Sequence, residues 1–298
     1  MSEIVLTDKD YKSGIDPDWC PGCGDYALLK ATQRALAALK IPTHDIFCVS
    51  GIGCSSNFPH FLKGYGTHSL HGRLIPVATG AALANHGLKI VATGGDGDGY
   101  GIGVGHFVHA CRRNLNITYM VMNNQIYGLT TGQASPTSSM EMITKSTPGG
   151  VIEAPINPLS LAISSGATFV ARGFSGDIKF LEDLIKQAIT HNGFALIDVL
   201  SPCVTFNKLN TYPWFKKRFY RLNEADKPDT KHDVTNMGEA LMKAIEWEQS
   251  GGDKIPTGVL YQVKKPTYED LEPVLIKGPL VKQDLGLKDS EKIMKQFY

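Results

Sequence analysis

The run Gly95-Asp96-Gly97-Asp98-Gly99 opens a stretch that closes on the pair Asn123-Asn124 at the end of an apolar segment. Asp96 offers a hard carboxylate oxygen for Mg²⁺, the flanking glycines let backbone N–H groups approach phosphate oxygens, and Asn124 offers an amide oxygen from the next strand end. The pattern reads as a cradle for a magnesium-bound diphosphate. A metal-free glycine turn is the bland alternative. Against it, the acid follows one apolar strand and the Asn pair the next, which places two oxygen ligands at neighbouring strand ends. A dinucleotide fingerprint, G-x-G-x-x-G, fails on spacing: Gly95/Gly97 meets Tyr100, Gly97/Gly99 meets Ile102, Gly99/Gly101 meets Val104 and Gly101/Gly103 meets His106.

A second chemistry-bearing set is Cys20-Pro21-Gly22-Cys23, with Cys54 and Cys203 further along. A lone C-x-x-C is more often a zinc half-site or a redox pair than a cluster ligand. Cys54 changes the balance, because it follows a strand in the Gly51-Ile52-Gly53-Cys54-Ser55 turn beside the diphosphate cradle, and Cys203 follows another strand end after Pro202. Four thiolates on one rim suit either zinc as Cys₄ or a 4Fe–4S cube, and the residues leave both open. Cys48 and Cys111 fall inside apolar strand and helix patterns and read as core. His60, His68 and His71 show no metal-site spacing, His106 and His109 read as packing or surface residues of a helix, and Lys216-Lys217-Arg218 reads as a solvated face.

These groups need elements to position them. Ala27, Leu28, Ala31, Ala35, Leu36 and Leu39 recur at helical spacing over 26–39, with Lys30, Gln33 and Arg34 between them. Strands are expected at 46–49, 90–92, 117–122, 169–171 and 194–200, and helices at 74–84, 102–113, 159–165 and 178–189. The alternation predicts an α/β fold, a mostly parallel sheet flanked by helices, with the candidate ligands beyond the strand carboxyl ends. The sheet is expected to end near Cys203. We divide the chain into an α/β domain at 1–205 and a C-terminal extension at 206–298, in which 237–249 reads as one more helix. The segment from Lys264 onward, with Pro266, Pro273 and Pro279, reads as an interaction arm.

The chain has 298 residues, enough apolar content for a sizeable core, and 30 Lys+Arg against 29 Asp+Glu. That balance gives no field to draw it to nucleic acid or to an anionic membrane. Met1-Ser2-Glu3-Ile4 lacks the basic-then-apolar pattern of a secretory signal and no apolar run reaches transmembrane length, so a cytoplasmic protein is expected. In a reducing compartment the six cysteines read as ligands and core residues rather than disulfides.

With Trp19-Cys20-Pro21-Gly22-Cys23-Gly24-Asp25 and the run Tyr127-Gly128-Leu129-Thr130-Thr131-Gly132-Gln133-Ala134-Ser135-Pro136-Thr137, the motifs above closely resemble the beta subunit of the 2-oxoacid:ferredoxin oxidoreductases, from about Trp19 to about Arg218. The resemblance implies the thiamine diphosphate-binding (diphosphate-domain) fold. It implies Mg²⁺ held by Asp96, Asn124 and the backbone carbonyl of Ile126, and a 4Fe–4S cluster on Cys20, Cys23, Cys54 and Cys203. Ile52, Gly53, Cys54, Ser55, Gly97, Asp98, Gly128 and Leu129 should line the cofactor, with His71 and Arg73 contacting cofactor or substrate. The implied reaction is coenzyme A-dependent oxidative decarboxylation of a 2-oxoacid, with electrons leaving through the cluster to ferredoxin. The glutamate that activates the aminopyrimidine is expected on an alpha subunit, in a heterodimer or a dimer of heterodimers, so the chain's own catalytic residues stay unassigned. The Tyr127–Thr137 run favours 2-oxoglutarate, giving succinyl-CoA. Asn57 argues the other way, since some dicarboxylate-using members carry Lys or Arg there and the cation would have to come from elsewhere. The alternatives are pyruvate or broad 2-oxoacid specificity, a non-oxidative thiamine decarboxylase or synthase subunit with structural zinc, and a non-catalytic metal-binding scaffold.

Overall fold

The protein is described from a computed structural model, which covers residues 6–284 and 290–298. The reading of Met1–Ile4 lies outside the described residues. The strands are β1 (Ile46–Ser50), β2 (Tyr65–His68), β3 (Lys89–Gly95), β4 (Ile117–Asn123), a short hairpin of β5 (Ile126–Tyr127) and β6 (Gln133–Ala134), β7 (Phe169–Phe174), β8 (Ala195–Leu200), β9 (Phe219–Arg221) and β10 (Ile255–Gln262). The principal helices are α1 (Asp25–Ala38), α2 (Phe58–Phe61), α3 (Leu74–Ala84), α4 (Val104–Arg113), α5 (Pro158–Ser164), α6 (Ile178–Thr190), α7 (Tyr212–Lys216) and α8 (Met237–Gln249).

Eight strands form one sheet in the order β2-β1-β3-β4-β8-β7-β10-β9, parallel throughout except where β10 runs antiparallel to β7. A parallel strand covered on both faces must be apolar on both, and β4 is: Ile117, Tyr119 and Val121 pack under α3, α4, α5 and α8, while Met120 and Met122 pack under α1 and α6. The result is a three-layer α/β/α sandwich, and four of its strands, β1, β3, β4 and β8, are consecutive neighbours. The loops after their carboxyl ends carry Cys54, Asp96, Asn124 and Cys203 in turn, so sheet order alone gathers motifs scattered over the chain onto one rim.

The sheet does not end near Cys203: β9 and β10 extend it by two strands. The sequence hides β10 because Pro256 and Gly258 interrupt its apolar pattern. Pro256 falls outside the register with β7, which begins at Gly258, and a bulge follows between Val259 and Tyr261. Edge strand β2, Tyr-Gly-Thr-His, is mostly exposed and has no apolar face to signal it. The helix expected from Ile102 starts at Val104, after a wide helical turn over Gly97–Ile102.

Beneath the rim lies a buried polar network. Asp198 on β8 accepts hydrogen bonds from Tyr100 Oη and Asn123 Nδ2, both at 3.1 Å, and faces Arg172 Nε at 3.8 Å. The Arg172 guanidinium also lies 5.3 Å from the Trp247 ring centre. Arg172→Met should therefore leave Asp198 without its counter-charge and cost about 3–5 kcal/mol, read as a lower urea midpoint for the variant. An unchanged midpoint would show that the pair contributes nothing to holding β7 against β8.

Candidate functional site

A cavity of about 280 Å³ opens at the carboxyl ends of β1, β3 and β4. Its walls include Ile52, Gly53, Cys54, Ser55, His71, Gly97, Asp98, Gly128 and Leu129, together with Asp96, Asn124 and Ile126. Every residue expected to line a thiamine cofactor or to hold its Mg²⁺ thus faces one space. Arg73, in contrast, directs Nη1 to His106 Nε2 at 3.0 Å and to the Gly72 carbonyl.

Asp96 is buried, and its Oδ2 accepts from Ser135 Oγ at 2.5 Å and Thr137 Oγ1 at 2.6 Å. Burial pushes its carboxyl up to about 6, against the pull of those two hydroxyls. A divalent cation at the cavity wall would favour the ionised form. Asn124 Oδ1 caps its own turn by accepting from Ile126 N at 3.0 Å, and Asn207 Nδ2 holds the Asn124 carbonyl at 3.0 Å. The donor set on offer, a carboxylate, an amide oxygen and a backbone carbonyl, is the hard-oxygen set that Mg²⁺ takes.

The Asp98 carboxylate braces the site. Its Oδ1 accepts from Gly72 N at 2.7 Å, Ile52 N at 2.9 Å and His71 Nδ1 at 3.0 Å, tying the loops after β1 and β2 to the one after β3. Burial raises its pKa despite these partners. Tyr127, another wall residue, donates from Oη to the Gly97 carbonyl at 3.2 Å, and its ring lies where a Gly97 side chain would be. Gly97→Ala should displace that ring and weaken diphosphate binding at least about tenfold, at a stability cost of about 1–3 kcal/mol. Calorimetric titration of the variant with thiamine diphosphate and Mg²⁺ is the check, and wild-type affinity would refute the close fit.

The four cysteines come together on the same rim. Cys20 and Cys23 form a turn, with Cys23 N donating to the Cys20 carbonyl at 2.9 Å, and Gly24 N reaches the Pro202 carbonyl beside Cys203 at 3.4 Å. A Cβ on Gly128 would stand 3.6 Å from Cys54 Sγ and 3.7 Å from Cys203 Sγ, so this glycine of the cavity wall lies against both thiols. Trp19 Nε1 donates to the Cys54 carbonyl at 2.7 Å, and Tyr26 Oη to the Trp19 carbonyl at 2.8 Å. Among the described residues no three His, Cys, Asp or Glu side chains close around a single metal ion. Burial, and then the Asp25 carboxylate, push the Cys54 thiol up to about 11 and raise Cys23 as well. Loading a metal here must therefore release protons. Cys48 and Cys111 sit in the two core layers, away from this group.

Several contributors carried no role in the sequence reading. Ser135 and Thr137 lie inside the motif run, yet nothing linear pairs them with Asp96. Asp25 begins α1, is buried, accepts from Ser201 Oγ at 2.8 Å and has its carboxyl pushed up to about 6 by burial. His60 and His68 pair with each other by the β2 edge, apart from the cavity.

Comparison with known proteins places the chain among its relatives. Residues 51–199 match the family described as thiamine pyrophosphate enzyme, C-terminal TPP binding domain, and residues 203–277 match the C-terminal family of the pyruvate ferredoxin oxidoreductase beta subunit. The chain is 48% identical over 262 residues to the 2-oxoacid:ferredoxin oxidoreductase subunit beta of Saccharolobus solfataricus, covering 85% of this chain and 84% of the relative. It is 36% identical over 265 residues to the 2-oxoglutarate synthase subunit KorB of Methanocaldococcus jannaschii, covering 87% and 93%. Among solved structures it is similar to a 2-oxoglutarate:ferredoxin oxidoreductase from Magnetococcus marinus with 2-oxoglutarate, coenzyme A and succinyl-CoA bound. There the TM-score is 0.88 at 41% identity, over 98% of this chain and 96% of that one.

Proposed function

This chain belongs to the beta subunits of the 2-oxoacid:ferredoxin oxidoreductases, thiamine diphosphate-dependent enzymes, and on that premise we propose that it takes 2-oxoglutarate, with coenzyme A as acyl acceptor and ferredoxin as electron acceptor. The observation that carries the reading is the shared wall: Cys54 lines the cofactor cavity and, with Cys203, stands against Gly128, another wall residue.

In this reading Asp96 and Asn124 side chains and the Ile126 carbonyl hold Mg²⁺, while the backbone around Gly97 and Asp98 meets the diphosphate. Ser135 and Thr137 keep the Asp96 carboxylate aimed. Ile52 and Leu129 line the cavity as apolar side chains that would exclude water once a partner subunit covers them. Thiamine diphosphate, when bound, supplies the carbon nucleophile and electron sink for decarboxylation. The four cysteines would hold a 4Fe–4S cluster, which takes up electrons singly. Among the described residues the cavity wall contains no glutamate, and Ile52 and Leu129 remain 43% and 55% exposed, an apolar rim suited to cover by a partner subunit that brings the activating carboxylate. Among the described residues no helix is long and apolar enough to cross a membrane, and we place the enzyme in the cytoplasm.

The test is anaerobic purification with the partner subunit, then metal and sulfide analysis and absorption spectra with and without 2-oxoglutarate plus coenzyme A. About four irons per chain and bleaching on substrate addition are expected. Zinc without bleaching would leave a thiamine lyase or a scaffold. The chain purified without its partner should show no turnover, and robust activity there would overturn the shared-site assignment.

A further inference from the structure

We propose that Lys145, held against the hairpin turn whose Gly128, Leu129 and Thr130 line the cofactor cavity, is an anion-receiving residue, taking a carboxylate or phosphate group of an incoming substrate. The inference rests on the substrate reading above and adds a residue to it. Within the cavity the charged side chains are Asp96 and Asp98, with His71 held on Asp98, so the wall itself repels a second anionic group. Arg73 is directed to His106. A 2-oxo dicarboxylic acid or an acyl acceptor carrying phosphates needs a cation, and the hairpin beside the cavity carries one.

Gly128, Leu129 and Thr130 line the cavity and form the turn of the β5–β6 hairpin, closed by Thr131 N to the Gly128 carbonyl at 3.0 Å and Gly132 N to the Tyr127 carbonyl at 2.9 Å. Lys145 lies against the tip of that turn. Its backbone N donates to the Gly132 carbonyl at 3.3 Å, and its Nζ donates to Thr131 Oγ1 at 2.9 Å and stands 6.0 Å from the Phe206 ring centre. The side chain is exposed, and among the described residues no carboxylate is paired with it. An ammonium has three donors, and one hydroxyl with one ring face leaves capacity for an anion.

The backbone makes an independent argument. Thr131 has φ of 72°, a left-handed conformation costly for a β-branched residue. Strained residues persist where surrounding structure over-determines them, and they cluster at ligand clamps. Here the strained residue presents Oγ1 to Nζ and holds the ammonium on the turn next to the cavity wall.

Lys145→Met and Lys145→Arg, each assembled with the partner subunit, should be compared with wild type for kcat and KM toward 2-oxoglutarate, 2-oxobutyrate and coenzyme A, and for thiamine diphosphate affinity. A rise of about tenfold or more in one KM is expected for the Met variant, largely recovered by Arg, with cofactor affinity unchanged. A rise confined to 2-oxoglutarate identifies the distal carboxylate, and one confined to coenzyme A identifies a phosphate. KM values within about twofold of wild type, or a joint shift of every parameter with cofactor affinity, would reduce Lys145 to a pin for the hairpin and overturn the proposal. A wild-type complex that turns over 2-oxobutyrate but not 2-oxoglutarate would fail the substrate reading by itself, and the coenzyme A arm would still decide Lys145.

Discussion

Asp96→Asn should lower the affinity for thiamine diphosphate at saturating Mg²⁺ on the order of 100-fold or more, while the apo protein keeps its fold. The substitution keeps shape and removes the one anionic oxygen donor in the proposed metal set. It also takes away the acceptor charge on which Ser135 and Thr137 converge. Folding need not suffer, because burial already disfavours the carboxylate, whose pKa stands at about 6, and a neutral amide avoids that penalty. Thr137→Val, which leaves Asp96 in place but frees it to turn, should cost about tenfold. Calorimetric titration separates the two, and an Asp96→Asn protein that binds the cofactor like wild type would remove Asp96 from the metal site.

Cys203→Ser should abolish the visible absorption of the anaerobically purified complex and bring iron well below the wild-type content, with thiamine diphosphate affinity kept within a few-fold. Cys203 is the thiol to choose because it is not part of the cavity wall, whereas Cys54 is. Cys48→Ser and Cys111→Ser should retain full iron, since each side chain is buried in a core layer. Should Cys203→Ser keep its iron and colour, the four-thiol assignment fails. Should wild type and variant both carry zinc and no colour, the redox reading fails with it.

The central fold was legible because strands buried on both faces are written as short apolar runs, and β1, β3, β4, β7 and β8 are of that kind. Strand β10 was not, since Pro256 and Gly258 break the run, and β2 was not, since an exposed edge needs no apolar face. The hairpin after Asn124 is two residues per strand, below what periodicity can reveal.

For the site, the linear order of residues was enough to propose the donor types. Carboxylate, amide and thiol sit in short runs at the ends of apolar segments, where local chain geometry already aims them away from the sheet. What each donor meets was settled by the packing of the folded chain. The neighbour order β1-β3-β4-β8 sets Cys54 beside Cys203 across Gly128. Ser135 and Thr137 reach Asp96 only because the β5–β6 hairpin returns the chain over the rim, Asp98 is consumed as a brace by loops far from it in sequence, and Lys145 comes to lie against the turn of that hairpin. Such pairings are fixed by packing between elements distant along the chain, and a linear pattern records only what each element contributes, not what it will face.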